Sequence, residues 1–338
     1  MTPCKAIAHP APLRRATLAV LTTTFATLLT AWATPALAQA PAWPSKPIRV
    51  VVGFAPGGTT DVMARLISQQ LAEALGQPVL VDNKPGASGN IAAAEVARAA
   101  PDGHTLLIAP TSVETANPWL FKSNLLPSRD LTPVVAVGRT QMYLVAKPQS
   151  TAHDVKELVA QAKAAPGKMS YASSGAGTAP HLACELFKVA TGTFVTHIPY
   201  RGAAPALQDV LSGQADFVCD PGIAFPHIRS NKVKLLGIVS ARRSPFFPGV
   251  PTVAEQGFPG ADLDIWFGLW APNGTPPEVL ARLGREVGTV LNQANVKARY
   301  ADLGGETTYL DNAEFRKLLI DENKRLSALI QQQKINVD

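Results

Sequence analysis

The stretch IRVVVGFAPGGTTDVMARLISQQLAEAL, residues 48–75, decides the fold class of this chain. Its β-branched run, Ile48-Arg49-Val50-Val51-Val52, predicts a buried strand, and residues 61–75 carry the apolar spacing of an amphipathic helix. Between them lies the turn Phe54-Ala55-Pro56-Gly57-Gly58-Thr59-Thr60-Asp61. Free backbone N–H groups at a helix start, with the positive end of the helix dipole behind them, favour an anion. Asp61 is read as the cap of this helix.

The same arrangement recurs along the chain. Lys84-Pro85-Gly86-Ala87-Ser88-Gly89-Asn90 follows the next strand. Ala172-Ser173-Ser174-Gly175-Ala176-Gly177-Thr178 lies between a strand and the helix that contains His181. Tyr200-Arg201-Gly202-Ala203 forms a fourth turn, and Asp220 closes a later strand. Small residues let a backbone approach a ligand closely, and hydroxyls add donors. Arg201 can pair with a carboxylate in bidentate fashion, or it can be an ordinary solvated arginine. Asp220 can contact a ligand or cap the turn before Pro221-Gly222. One such loop is ordinary; several in one chain point to a binding cleft.

Strands are expected at 48–52, 79–81, 105–109, 134–137, 143–146, 169–172, 196–199, 217–219, 235–239 and 265–271. Helices are expected at 61–75, 91–99, 155–164, 181–190, 203–211, 277–294 and 313–332, with Thr275 and Asp311 as caps of the last two. The alternation predicts an α/β protein with parallel-dominated sheets. If the strand at 265–271 returns to the first sheet, the chain crosses twice between two lobes around a hinged cleft. The boundaries read as 39–140 plus 267–338 for one lobe and 141–266 for the other. Trp119, Trp266 and Trp270 are read as core or hinge packing.

Residues 1–38 read as a cleavable leader. Lys5, Arg14 and Arg15 form a basic start, residues 16–32 an apolar centre, and Ala36-Leu37-Ala38 a cleavage site. The alternative, a membrane anchor, needs a longer span. The whole-chain charge of +6 falls to +3 once those three basic residues leave. With no basic run, nucleic acid is not an expected partner. Cys184 and Cys219 can pair in an oxidising compartment, but two buried free thiols are the favoured reading.

Catalytic signatures are missing: there is no G-x-S-x-G elbow, P-loop, G-x-G-x-x-G or H-E-x-x-H. The histidines lack metal-ligand spacing. Ser173 or Ser174 with His181 leaves a serine hydrolase as the rival from the enzyme class.

Several long segments together resemble one family, the extracytoplasmic solute receptors of tripartite tricarboxylate transporters, or Bug proteins. They are WPSKPIRVVVGFAPGGTTDVMAR (43–65), GQPVLVDNKPGASGNIAAAEVARAAPDGHTLL (76–107), YASSGAGTAPHLACELF (171–187), HIPYRGAAPALQDVLSGQAD (197–216) and VPTVAEQGFPGADLDIWFGLWAPNGTP (250–276). The resemblance implies a type II periplasmic-binding-protein fold that holds a small carboxylate between two lobes, in part through bridging water. Carried onto this chain, it implies ligand contacts from Phe54, Gly57, Gly58, Thr59, Thr60, Asp61, Ala87 and Ser88 on one side. On the other side it implies Ser173, Gly177, Thr178, His181, Arg201, Gly202, Ala203 and Asp220. The chain departs from the family pattern at Gly53, Lys84, Cys219 and Pro221, and the last two bear on the second-lobe contacts. The expectation is a monomeric, non-enzymatic periplasmic receptor, without metal or cofactor, that hands its ligand to integral-membrane transporter subunits. A sensor that presents the bound carboxylate to a signalling partner is the runner-up.

Overall fold

In a computed structural model, described for residues 1–3, 43–332, 335 and 337, the first strand β1 (Ile48–Val52) lies inside a six-stranded sheet. Its neighbours are β2 (Val79–Asn83) and β3 (Thr105–Pro110), both parallel to it. Val50 and Val52 pack into one apolar cluster, and Val51 packs into another on the opposite face. Both faces are covered, which is why the strand reads as an unbroken apolar run. The leader reading falls outside the described residues.

The sheet continues through β4 (Leu131–Thr140), after which the chain leaves it. β5 (Tyr143–Ala146), β6 (Ser170–Ser173), β7 (Thr196–Pro199), β8 (Phe217–Asp220) and β9 (Lys234–Ile238) form a second sheet in the order β7-β6-β8-β5-β9. β10 (Ile265–Pro272) then returns to the first sheet and inserts between β4 and β3, antiparallel to both. A short β11 (Gly305–Glu306) completes the order β11-β4-β10-β3-β1-β2. Both sheets are therefore mixed: parallel where a helix bridges the strands, antiparallel where the chain changes sheets.

Helix α1 (Thr59–Leu75) buries Met63, Ile67, Leu71 and Leu75 along one stripe and stops at Gly76 in the left-handed region. It begins two residues before the expected start. Asp61 is not its N-cap: that position is Gly58, which has no side chain to offer, and Asp61 works from inside the first turn. The other helices that matter here are α2 (Asn90–Ala97), α3 (Val155–Ala164), α4 (Ala179–Thr191) and α5 (Ala203–Ser212). The helix expected at 277–294 is α6 (Pro277–Leu291), and a further helix, α7 (Ala294–Asp302), follows it that was not expected. Only Val296 and Tyr300 of α7 are buried, so its apolar pattern is thin. Thr275 does not cap α6; its hydroxyl donates to the Pro272 carbonyl. Asp311 does cap α8 (Asn312–Gln332), accepting from the N–H groups of Ala313 and Glu314 at 2.9 Å each.

Cys184 of α4 and Cys219 of β8 form a disulfide, with Cα atoms 6.0 Å apart. The free-thiol reading is thus corrected. α4 lies across β8 and aims both side chains into one buried layer, a proximity that sequence does not carry. Trp270 is core, with Nε1 donating to Glu114 at 2.9 Å, and Trp266 is half-buried beside Arg139. Trp119 is exposed, contrary to the core reading. No helix among the described residues is long and apolar enough to cross a membrane.

Candidate functional site

The four glycine-rich turns meet along the seam between the two sheets. Ala55 N–H donates to the Arg201 carbonyl at 3.2 Å. The Thr59 hydroxyl donates to the Pro221 carbonyl at 3.5 Å, and the Ser88 hydroxyl donates to the Ala176 carbonyl. Gly202 sits here at φ +148°, where a Cβ would come within 3.1 Å of the Ala55 Cβ and 3.2 Å of its nitrogen. This approach of two backbones is what requires glycine at that position.

Inside the seam is a cavity of about 30 Å³. That is room for roughly two water molecules, or for one carboxylate group. Its polar edge is made by the starts of three helices: Thr59 and Thr60 of α1, Thr178 and Ala179 at α4, and Ala203 of α5. Its apolar wall is made by Phe54, Pro110, Ile265 and Phe267. No charged side chain lines it. Outside it, a vestibule of about 520 Å³ opens between the segment 85–88 and the loops at 174–176 and 199–201. Phe54 and Ser174 line both spaces and separate them.

The expected site residues divide into those that line these spaces and those that hold the lining in place. Phe54, Gly58, Thr59, Thr60, Thr178 and Ala203 line the inner cavity. Ala87, Ser88 and Arg201 line the vestibule. Gly202 sets the close approach just described. Gly57, Asp61, Ser173, Gly177, His181 and Asp220 line neither space. Pro110, Ile265 and Phe267 also line the inner cavity and were not singled out from sequence, while Ser174, read as a rival nucleophile, and Pro221, read as a departure beside Asp220, line it as well. The alternation of Ile265 and Phe267 along one strand face was the available signal.

Asp61 is buried and braces the first loop. Its Oδ2 accepts from Gly57 N–H at 2.9 Å and Arg65 Nε at 3.0 Å, and its Oδ1 accepts from Asn83 at 2.9 Å. Burial alone raises this carboxyl, but the Arg65, Gly57 and Asn83 hydrogen bonds outweigh it and hold it below the ordinary aspartate value.

The third turn is braced differently. Gly177 N–H donates to His181 Nδ1 at 3.0 Å. Ser173 Oγ lies 2.7 Å from His197 Nε2 and accepts from Gly175 N–H at 3.1 Å. The two imidazoles stack 4.2 Å apart, with the Tyr171 ring 4.8 Å from His197. Burial pushes His181 down to about 4 and His197 down to about 3, the latter with help from the neighbouring imidazole. Both are therefore uncharged at neutral pH, and His181 accepts at Nδ1. Beneath them Glu185 accepts from Lys188 at 2.8 Å and from the Tyr171 hydroxyl. Ser173 is fully buried, so its contact with His197 does not face a substrate.

Asp220 ends β8. Its Oδ2 accepts from Gly222 N–H at 2.6 Å and Ala224 N–H at 3.0 Å, which is the turn-capping role. Its Oδ1 is buried without a hydrogen-bond partner among the described residues, and burial raises the carboxyl to about 7. No cluster of histidine, cysteine and carboxylates suited to a metal occurs among the described residues.

The two-sheet α/β architecture with a cavity at converging helix starts is the fold of solved periplasmic binding proteins. Residues 63–335 match the tripartite tricarboxylate transporter family receptor, so the chain belongs to that family. It is 37% identical over 302 residues to protein BugT of Bordetella pertussis, covering 87% of this chain and 91% of that one. The periplasmic binding protein BugD superposes with a TM-score of 0.83 at 33% identity, covering 87% of this chain and 99% of that one. A Rhodopseudomonas palustris protein solved with adipate gives 0.84 at 32% identity, with 87% and 99% coverage. MatC of the same organism, with bound malate, gives 0.82 at 35% identity, with 85% and 100% coverage.

Proposed function

We propose that this protein captures a small organic carboxylate in the seam between its two lobes and delivers it to membrane subunits of a tripartite tricarboxylate-type transporter. The lobes are 39–140 with 267–338, and 141–266, joined where the chain passes from β4 to β5 and from β9 to β10. The carrying observation is the convergence of three helix starts on one cavity that has no charged side chain in its lining. Such a cavity takes a carboxylate through backbone N–H groups and bridging water, with the helix dipoles supplying the positive potential. The adipate and malate bound to two related structures support this class of ligand. Closure around the ligand stabilises the form in which both lobes contribute contacts. Export through the leader, with cleavage near Ala38, places the protein in the periplasm.

Isothermal titration against mono-, di- and tricarboxylates tests the reading. Saturable binding of at least one with unchanged ligand recovered afterwards is the expected result. Turnover of an ester or acid without stable binding would overturn it. A hydrolase reading is not favoured, because Ser173 is sealed beneath its loop and Ser174 donates to Thr178 at 3.1 Å.

A further inference from the structure

Behind one wall of the inner cavity lies a separate pocket of about 280 Å³. Along the segment that enters β10, Leu263, Ile265 and Phe267 are buried, while Asp262, Asp264 and Trp266 are half-buried. The two-residue period of extended chain puts these two sets on opposite faces. Ile265 and Phe267 wall the inner cavity, and Asp262, Asp264 and Trp266 line the separate pocket. Its other wall is α8, where Leu318, Asp321, Glu322 and Arg325 recur at helical spacing along one side. Carboxylates outnumber cations here. Asp321 pairs with Lys317 at 2.5 Å, and Asp262 lies 3.9 Å from Arg325. Those pairs leave Asp264 and Glu322. Asp264 Oδ1 accepts from the Ser240 hydroxyl at 2.5 Å. Glu322 is only 9% exposed, and its Oε2 has no hydrogen-bond partner among the described residues. Burial raises the Glu322 carboxyl to about 7, and the neighbouring Asp264 adds to the rise. Burial raises Asp264 as well, with Glu306 adding to it, against the Ser240 hydrogen bond, Arg242 and Arg325. A cation placed between these two carboxyls stabilises both in their ionised form.

We propose that this pocket binds an organic cation, a primary ammonium or guanidinium group on a short aliphatic stem, with Glu322 and Asp264 as its acceptors. A metal ion fits less well. No group of carboxylates among the described residues is arranged to hold one, and the pocket is far larger than a bare ion. Ala241, Leu318 and the Trp266 indole give it apolar surface on which a stem can pack. The indole already attracts one cation, the Arg139 guanidinium, 5.6 Å from the ring centroid. Asp264 belongs to the crossing between the two sheets and Glu322 to α8, so the bound cation ties that crossing to the first lobe. The site stands apart from the carboxylate cleft and does not depend on what the cleft binds.

The test is calorimetry of the full mature protein with butylamine, putrescine and agmatine. Butan-1-ol serves as the uncharged match, and calcium and magnesium ions as rivals. The expected result is saturable binding of at least one of the three cations, at least about tenfold tighter than butan-1-ol. Glu322→Gln and Asp264→Asn each weaken that cation by about tenfold and leave carboxylate affinity unchanged. Asp264→Asn keeps an oxygen for the Ser240 hydroxyl at a half-buried position, so it reports on the site independently of the more buried Glu322 variant. Asp321→Asn has a smaller effect, because Lys317 already pairs with that carboxylate. Equal cation affinity in the parent and in both Glu322→Gln and Asp264→Asn would show diffuse attraction to an acidic surface and overturn the site. Equal binding of butan-1-ol, displacement of the organic cation by calcium or magnesium, or failure of all three cations to bind would overturn it too. Loss of carboxylate binding in the parent, with organic-cation binding intact, would overturn the cleft reading alone.

Discussion

Loops 53–61 and 173–181 are alike in sequence style and opposite in what braces them. Each is a glycine-rich turn between a strand and a helix, and each sends a helix start to the same cavity. The first is held by an ionised carboxylate, Asp61, whose three hydrogen bonds include one from Arg65. The second is held by neutral imidazoles and, about one turn along α4, by the Cys184–Cys219 disulfide to β8. Equivalent backbone presentation is thus reached by charge on one side and by a covalent staple with uncharged acceptors on the other. The two halves of one cleft should therefore fail under different conditions.

The largest expected effect is on the second loop. Replacing Cys184 and Cys219 together by serine removes a link across 35 residues of sequence. Chain-entropy arguments put the loss at about 3–4 kcal/mol. Urea unfolding of the oxidised protein and the double variant checks it. Hydrogen exchange should show lost protection at 173–178 and unchanged protection at 53–61. Equal loss in both loops would break the contrast between them.

Asp61→Ala should act the other way round. It strands Gly57 N–H, Asn83 and Arg65, costing about 2–3 kcal/mol for charge-assisted bonds to a buried carboxylate. Order should be lost at 53–61, carboxylate affinity should fall by about tenfold, and the loop at 173–178 should keep its protection. Undiminished affinity and melting temperature would show that the turn is shaped by its glycines alone.

Much of this contrast was hidden in the sequence. The alternation of strands and helices and the four turns follow from local periodicity and turn chemistry, which act over a few residues, whereas the return of the strand at 265–271 to the first sheet is a long-range pairing that periodicity leaves open. The braces do not. Asp61 looked like a cap because it precedes an apolar stripe, but the helix begins at Thr59 and the carboxylate reaches back to Gly57. His181 looked like a ligand contact, and only the packing of α4 against β6 and β8 shows it beneath its loop, stacked on His197. The disulfide depends on where α4 crosses β8, which no spacing of two cysteines encodes. Half of the inner cavity's apolar wall, Ile265 and Phe267, comes from β10, far along the chain from the turns it faces.

The smallest effect is acid, and its sign differs between the loops. His181 and His197 have folded values of about 4 and about 3, below the free imidazole value. Their contribution is full above about pH 6.5 and is lost as the pH falls toward those values. Glu185 favours the protonated imidazoles and Lys188 opposes them, while burial dominates both. Asp61 is also depressed, but from the aspartate range, so its contribution persists until the pH drops below about 3.8. Between these limits the second loop weakens and the first does not. Global stability hides the difference, because Asp220 and Glu322 are each raised to about 7 by burial and gain stability as they protonate over the same interval. The net change in melting temperature should be slight. Local readouts should separate the terms: imidazole Cε1–H shifts for His181 and His197 should stay in the neutral range to well below pH 6, and exchange should rise at 173–181 before 53–61. Simultaneous loosening of both loops would mean that the cleft responds to acid as one unit, whatever braces each side.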